Sequence, residues 1–174
     1  MLKIYDRVSS TIDIAKTCFY TDIDILAIEQ SHGVGKQGRA WHSPIGNLFL
    51  SMNMKNYSTL QITQSDLAIY FGVMTGLTIQ TFKMLSLKYK FPNDIYLGGK
   101  KLAGLLIDAY DDRMIVSIGC NLRRAPVEFA NLHDYKMVIT PIEFYIVLKH
   151  LMQKYPISIE VLKYTKDIWM QNLL

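Results

Sequence analysis

"SHGVGKQGRAWHSPIGNLFLSM", residues 31–52, decides the fold class through the residues that come after its three glycines. Gly33, Gly35 and Gly38 match a G-x-G-x-x-G pattern, which in a dinucleotide-binding fold opens a helix and is followed by an acidic residue about 20 positions later. Here Trp41 and Pro44 come next, and then an apolar strand pattern. A P-loop is excluded as well, because no Lys-Ser/Thr pair follows the last glycine. The stretch therefore predicts a strand, a loop and a second strand.

The loop still suits an anion. Glycines let backbone N–H groups come close to a phosphate, and Lys36 and Arg39 add positive charge at the same place. Trp41 adds a flat face on which a base can stack. A basic hairpin loop with a core tryptophan explains these residues equally well, so other segments have to decide between the two interpretations.

Short strands and one capped helix are predicted around the loop. Ser10, with Asp13 three residues later, can cap a helix that runs to about Phe19. Residues 24–30 and 47–54 have the apolar patterns of strands. Apolar residues at helical spacing predict a long buried helix over 65–85.

The second half of the chain predicts more strands and then helices. Strands are expected over 87–91, 95–97, 101–110 and 113–122, with turns at Gly98-Gly99 and Asp111-Asp112. Thr140-Pro141-Ile142-Glu143 predicts a helix start with a threonine N-cap and a capping box, and the C-terminal residues are expected to be helical. The predicted fold class is α+β, a mixed and mostly antiparallel sheet packed against three or four helices.

Composition agrees with one intracellular domain. The chain has 174 residues, 50% of them apolar, and a formal charge of +4 that is spread along it. Its two cysteines are far apart and form neither a zinc motif nor a disulfide framework. The first ten residues contain no apolar leader, and no later stretch reaches the length of a membrane span. We expect a cytoplasmic protein without a membrane or nucleic-acid partner, since no stripe of basic and aromatic residues is present.

Two further segments carry a family resemblance. "KYKFPNDIYL" (88–97) places a lysine, an amide and a carboxylate at a turn, and "KKLAGLLID" (100–108) sets Lys101 at the head of an apolar strand. Each has an ordinary structural explanation when taken alone. Together and in this order, the chain resembles the catalytic domain of biotin protein ligases, and the match covers nearly all of it: "SST" (9–11), "EQSHGVGKQGRAW" (29–41), "GNLFLSM" (46–52), these two segments and "IGCNL" (118–122). Lipoate ligases are related to this family, but their Arg-Arg and Gly-Gly-Gly signature is absent.

The resemblance implies a fold like that of class II aminoacyl-tRNA synthetases and a two-step reaction. Biotin and ATP form biotinyl-5'-AMP with the help of Mg²⁺, and the biotinyl group then passes to one lysine of the carrier domain of a biotin-dependent carboxylase. Lys101 and Arg39 are the implied catalytic residues, Lys101 as an ammonium that stabilises the oxyanions of both steps and Arg39 as a grip on the ATP phosphates.

The resemblance also implies two sets of binding residues. The expected biotin site consists of Ser10, Thr11, Gln30, Gly33, Val34, Gly35, Lys36 and Lys101. The expected ATP and adenylate site consists of Gly38, Arg39, Trp41, Lys90, Asn93 and Asn121, and Asp94 is the implied Mg²⁺ ligand.

The chain departs from the family pattern in several places. Val34 and Ile12 stand where many members have an arginine and an asparagine, which removes two polar contacts. Residues 1–174 are expected to form a single catalytic domain, with no N-terminal helix-turn-helix domain and no C-terminal SH3-like domain, so no role in transcription is expected.

Three functions stay open at this point. The first is an active biotin ligase. The second is a module that binds biotin or its adenylate with weak or lost turnover, and the third is a lipoate-type ligase. The sequence leaves the identity of the carrier and the oligomeric state undecided, and it is compatible with a homodimer.

Overall fold

The computed structural model describes residues 1–55, 62–110 and 113–174. Seven strands and four α-helices follow one another in the order β1 (Leu2–Val8), α1 (Thr11–Thr17), β2 (Asp24–Gln30), β3 (Leu48–Lys55), α2 (Gln64–Phe82), β4 (Leu87–Lys90), β5 (Asp94–Leu97), β6 (Lys100–Ala109), β7 (Arg113–Cys120), α3 (Pro141–Lys154) and α4 (Ile159–Gln171). Short 3₁₀ helices cover Lys36–Gly38 and His133–Tyr135. None of the helices in these ranges has the length and apolar character needed to cross a bilayer.

The strands form one mixed sheet in the order β1-β2-β3-β7-β6-β5-β4. β1 and β2 run parallel, and every other neighbouring pair is antiparallel. The predicted α+β class is confirmed. The predicted elements are also present, with boundaries within about three residues, whereas β1 was not predicted. β1 is an edge strand in which only Val8 is buried, so its sequence has little of the alternation that marks a strand.

The helix caps explain where the long helices begin. The Thr140 hydroxyl accepts from the Glu143 N–H and the Glu143 carboxylate accepts from the Thr140 N–H, as the sequence predicted. Thr63 and Asp66 form the same capping box at the start of α2. The Ser10 hydroxyl caps α1 by accepting from the Ile12 N–H. The turn predicted at Asp111-Asp112 lies outside the described residues.

The two faces of the sheet have different coverings. One face packs against α2, α3 and α4 through a large apolar core that includes Leu50, Val116 and Ile118. On the other face Ile25 and Ile115 pack against Ala15 of α1. Because side chains alternate between faces along a strand, the second face continues past α1 into small and polar residues: Ser51 opposite Ser117, and Gly104 opposite Gly119. This part of the sheet is the floor of the candidate site.

Candidate active site

A small cleft, with a cavity volume of about 50 Å³, lies on the sheet face that α2 does not cover. The cleft brings together predicted site residues from separate segments: Thr11, Gln30, Val34, Gly35, Lys36, Trp41, Asn93 and Lys101. The rest of the lining comes from α1 and the sheet: Ile12, Phe49, Leu50, Gly104, Leu105, Leu106, Ser117, Ile118 and Gly119.

Lys101 enters this cleft as part of an ion pair. Its Nζ atom lies 2.7 Å from Oδ1 of Asp94, and the two side chains are only 25% and 21% exposed. The same ammonium lies 5.4 Å from the ring centroid of Trp41. The cleft therefore contains a cation that is held in place by a carboxylate and by an aromatic face.

A β-bulge aims Lys101 into the cleft. Ile95 pairs with Ala103, but the next residue, Tyr96, pairs with Lys101, so Leu102 has no partner of its own on β5. Leu102 and Ala103 consequently both lie in the core beneath α2 although they are consecutive. The extra residue turns Lys101 onto the same face as Gly104, where a regular strand would have placed it on the opposite face.

Two glycines on neighbouring strands make room for the cleft side chains. A Cβ on Gly104 would lie 3.1 Å from Cε of Lys101 and 3.1 Å from Cζ3 of Trp41. A Cβ on Gly119 would lie 2.6 Å from Cε2 of Trp41. The indole ring thus rests directly on the sheet backbone, and a larger residue at either position would push it away.

The glycine-rich loop is a tight hairpin beside the cleft. The Gly35 N–H donates to the Arg39 carbonyl at 2.7 Å, and the Trp41 N–H donates to the Gly33 carbonyl at 2.8 Å. Gly38 has a φ of +72°, a conformation that favours glycine. Gly33 is needed for space, because a Cβ there would lie 2.6 Å from the Trp41 carbonyl oxygen.

The hairpin separates the predicted basic residues. Lys36 lines the cleft, whereas Gly38 lines only the outer side of the hairpin. The Arg39 side chain is exposed and lies 3.5 Å from the amide oxygen of Gln37. Gly33 also lines the outer side of the hairpin. Lys36 is therefore the loop cation that lines the same cleft as Lys101.

Gln30 connects the loop to α1. Its Oε1 accepts from the Thr11 N–H at 2.7 Å, and its Nε2 donates to the Ser43 hydroxyl at 3.0 Å. Ser43 in turn donates to the Trp41 carbonyl at 2.9 Å. Ser10, which the resemblance assigned to biotin, is buried as the cap of α1 and does not line the cleft.

Two serines that sequence reasoning missed lie at the floor of the cleft. Ser51 donates to the Thr11 hydroxyl at 2.9 Å, and its oxygen lies 2.8 Å from the Ser117 hydroxyl. The signal that could have found them is a serine in the middle of each of two apolar strand patterns, "NLFLSMNM" and "RMIVSIGCNL".

Both predicted asparagines hold backbone segments. Asn93 lines the cleft, and its Nδ2 donates to the Leu105 carbonyl at 2.7 Å. This hydrogen bond attaches the turn that precedes β5 to strand β6. Asn121 is buried, and its Nδ2 donates to the Ala130 carbonyl at 3.0 Å.

A second, neighbouring cleft shares Trp41 and contains Asn121. Its other lining residues are Ala40, His42, Pro126, Glu128 and Phe129. Lys90 stays outside both clefts; it is exposed, with its Nζ 5.9 Å from the ring centroid of Tyr96. Trp41 thus lines both the first cleft and this neighbouring aromatic pocket.

More than half of the chain matches one known protein family. Residues 5–123 match the model of the biotin/lipoate A/B protein ligase family. The chain belongs to that family. The resemblance found in the sequence is therefore confirmed, and the sheet and helices are those of a biotin/lipoate ligase domain.

Curated members of the family align over part of the chain. The bifunctional ligase/repressor BirA of Bacillus subtilis is 34% identical over 116 residues, which covers 60% of this chain and 34% of the relative. The biotin–[acetyl-CoA-carboxylase] ligase of Paracoccus denitrificans is 31% identical over 108 residues, which covers 59% of this chain and 45% of the relative. The chain thus spans between a third and a half of the length of these family members.

Solved structures of biotin/lipoate ligases cover nearly all of the chain. Biotin protein ligase from Leishmania major in complex with biotin matches with a TM-score of 0.83 and 22% identity, over 98% of this chain and 81% of that one. Biotin protein ligase from Aquifex aeolicus in complex with biotin and ATP matches with a TM-score of 0.78 and 26% identity, over 95% of this chain and 72% of that one. The fold is therefore shared well beyond the segment that aligns with the curated relatives.

Proposed function

We propose that this chain is an ATP-dependent biotin protein ligase, which forms biotinyl-5'-AMP and transfers the biotinyl group to a lysine of a biotin carboxyl carrier domain. The observation that carries the proposal is the Lys101 ammonium, held by Asp94 in a cleft whose opposite wall is the glycine-rich hairpin. The Aquifex aeolicus relative, which was solved with biotin and ATP, supports the same pair of substrates.

The hydroxyl groups and the lysines of the cleft match the polar groups at the two ends of biotin. Hydroxyl groups of Thr11 and Ser117 lie at the floor, where the ureido ring would find hydrogen-bond partners. Phe49 and Leu106 supply apolar walls for the rest of the molecule. The ammonium groups of Lys36 and Lys101 would then meet the carboxylate of the valeryl chain.

Lys101 would serve both half-reactions. In the first, a biotin carboxylate oxygen attacks the α-phosphorus of ATP, and pyrophosphate leaves with the electrons of the broken P–O bond. In the second, the carrier lysine amine attacks the biotinyl carbonyl, AMP leaves, and the amine loses a proton to solvent. A fixed ammonium stabilises the negative charge that grows on oxygen in each step, and it stays unmodified.

The neighbouring aromatic pocket is the proposed nucleoside site. Trp41 and Phe129 line it and can contact an adenine ring, and Trp41 also lines the cleft proposed for biotin. Arg39 is exposed on the same hairpin and would grip the phosphates from the loop. Lys36 already lines the cleft and is the nearer phosphate ligand in this arrangement.

The donor set near Lys101 fits a magnesium ion brought in by the nucleotide. Within the described residues no group of three metal-binding side chains occurs, and Asp94 is the carboxylate next to the cleft. Mg²⁺ in such enzymes is held by one or two carboxylates together with substrate phosphates. Asp94 would supply the protein ligand, and the ion would neutralise charge on the ATP phosphates.

A mass measurement tests the proposed function. The protein is incubated with biotin, ATP, Mg²⁺ and an isolated carrier domain, and the carrier is then weighed by mass spectrometry. The expected result is the covalent addition of one biotinyl group. A carrier of unchanged mass, with biotin bound by the protein, would favour a binding module instead, and addition of a lipoyl group from lipoate would favour a lipoate-type ligase.

A further inference from the structure

Thr11, Ser51 and Ser117 form a chain of three hydroxyl groups at the floor of the cleft. The oxygens of Ser51 and Thr11 are 2.9 Å apart, and those of Ser51 and Ser117 are 2.8 Å apart. Ser51 is fully buried, whereas Thr11 and Ser117 both line the cleft. The two ends of the chain therefore face any ligand, and the middle does not.

Counting protons shows that the two ends must behave differently. Each hydroxyl has one proton to donate and can accept hydrogen bonds through two lone pairs. Ser51 can donate to only one neighbour, so the other neighbour has to donate to Ser51 to keep both contacts. When Ser51 donates to Thr11, Ser117 uses its proton on Ser51, and the Thr11 proton is left for the cleft. One end then offers a donor to a ligand, and the other end offers only an acceptor.

Gln30 is the polar neighbour of this hydroxyl chain. Its Oε1 already accepts from the Thr11 N–H, and its Nε2 already donates to Ser43. Gln30 lines the cleft, and its amide keeps one N–H and one oxygen lone pair for a ligand.

We propose that Ser117 is a specificity-determining residue. By donating to Ser51, it leaves Thr11 as the end of the hydroxyl chain that donates a hydrogen bond to a ligand. The cleft thereby selects a cyclic urea. The inference rests on the proposed function, because it assumes that the ureido end of biotin lies on this floor. A cyclic urea presents a carbonyl acceptor beside N–H donors, which complements one donating and one accepting hydroxyl. The dithiolane ring of lipoate has no donor and only weak sulfur acceptors, and it would leave both hydroxyl ends unpaired.

Binding of biotin alone tests this inference. Isothermal titration calorimetry of the full chain without ATP compares the wild type with Ser117→Ala, Ser51→Ala and the double variant. Ser117→Ala is expected to weaken biotin binding roughly 5- to 50-fold, the effect of leaving one ligand N–H without its acceptor. The double variant is expected to bind no more weakly than Ser117→Ala, because the two serines act as one chain. Ser86→Ala, at an exposed position outside the cleft, is the matched control and should bind like the wild type.

Each outcome separates this inference from the proposed function. Wild-type protein that fails to bind biotin would overturn both. Wild-type protein that binds biotin, with Ser117→Ala binding equally well, would overturn the role of Ser117 and leave the ligase proposal standing. If the losses of biotin affinity in the two single variants simply add in the double variant, the serines act independently. That result would overturn the role of the hydroxyl chain. Thermal unfolding of each variant confirms folding, and if Ser117→Ala does not fold, Ser51→Ala alone must still weaken biotin binding for the inference to stand.

Discussion

The Lys101 side chain crosses a glycine, Gly104, on its way to Asp94. A Cβ on Gly104 would lie 3.1 Å from Cε of the lysine, and Gly104 is the strand partner of Asp94. The 2.7 Å ion pair is therefore a product of strand register and of one missing side chain. This arrangement leads to predictions about the reaction, the packing of the cleft and stability in acid.

Replacing Lys101 by Gln should abolish most adenylate formation. Loss of a fixed group that stabilises a developing oxyanion costs about 100- to 1,000-fold in rate. The measurement is pyrophosphate release with biotin and ATP. The control is Lys100→Gln at the adjacent exposed lysine, whose Nζ donates to the Val127 carbonyl, and it should keep the wild-type rate. An undiminished rate in Lys101→Gln would remove Lys101 from the catalytic machinery.

Replacing Asp94 by Asn should slow the same step less severely, by about tenfold, because the ammonium remains but is no longer anchored by a charged partner. Both side chains of this pair are only 25% and 21% exposed, so the loss of unfolding free energy should lie between that of an exposed pair, about 1 kcal/mol, and that of a fully buried one, about 3–5 kcal/mol. Pyrophosphate release and urea unfolding measure the two effects. In the Lys101→Gln background the anchoring role of Asp94 is gone, so a further loss of rate caused by Asp94→Asn there would measure its proposed Mg²⁺ role, and an unchanged rate would remove that role.

Replacing Gly119 by Ala should displace Trp41. The new Cβ would lie within 2.6–2.9 Å of three indole atoms, and overpacking of this kind costs about 1–3 kcal/mol. Denaturant unfolding should show that loss. The chain has two tryptophans, and Trp169 is buried in the core. A change in tryptophan fluorescence emission in this variant would therefore report on Trp41.

Gly35→Ala is the matched control for that experiment. A Cβ there would lie 3.4 Å from the Arg39 carbonyl oxygen, an ordinary contact, and φ at this residue is −108°. Stability and emission close to wild type are expected. If Gly119→Ala and Gly35→Ala had the same stability and emission, the close contact between the Trp41 indole and Gly119 would be wrong.

The capping box of α3 should make stability depend on pH in acid. Hydrogen bonds from the Thr140 N–H and hydroxyl to the Glu143 carboxylate hold the pKa of that carboxyl below its ordinary value of 4.5. A carboxyl whose pKa is lowered by folding stabilises the native state above its unfolded pKa, and this contribution is lost as the pH falls through the folded pKa. Wild type should therefore have a higher Tm than Glu143→Gln at pH 7, and the difference should shrink as the pH falls below about 4.5.

The same experiment has an internal check. Thr140→Ala removes the hydroxyl that donates to Glu143, so in that variant the acid dependence assigned to Glu143 should be smaller. A Tm difference between wild type and Glu143→Gln that stays constant from neutral pH into acid would contradict the assignment.

Much of the fold could be predicted because its signals are local. The Thr140 capping box, the Ser10 cap and the helical spacing of α2 depend on residues within a few positions of one another. β1 escaped prediction because an exposed edge strand has no buried face to impose alternation. The family could also be predicted, because it is carried by contiguous motifs.

The site was predictable as a set of residues but not as an arrangement. Thr11, Lys36 and Lys101 do line one cleft, whereas Ser10 caps a helix and Lys90 lies outside. Ser51 and Ser117 were missed because a polar residue in an apolar strand has meaning only when its cross-strand neighbour is known.

The sequence by itself therefore determined the element types, the membership of the biotin/lipoate ligase family and the residue types available to the site. These depend on short-range spacing and on motif order. Only the tertiary structure decided which of those residues meet. The bulge at Leu102, the pairing of Gly104 with Gly119 and that of Ser51 with Ser117 join distant segments, and pairing between strands is set by register across the sheet.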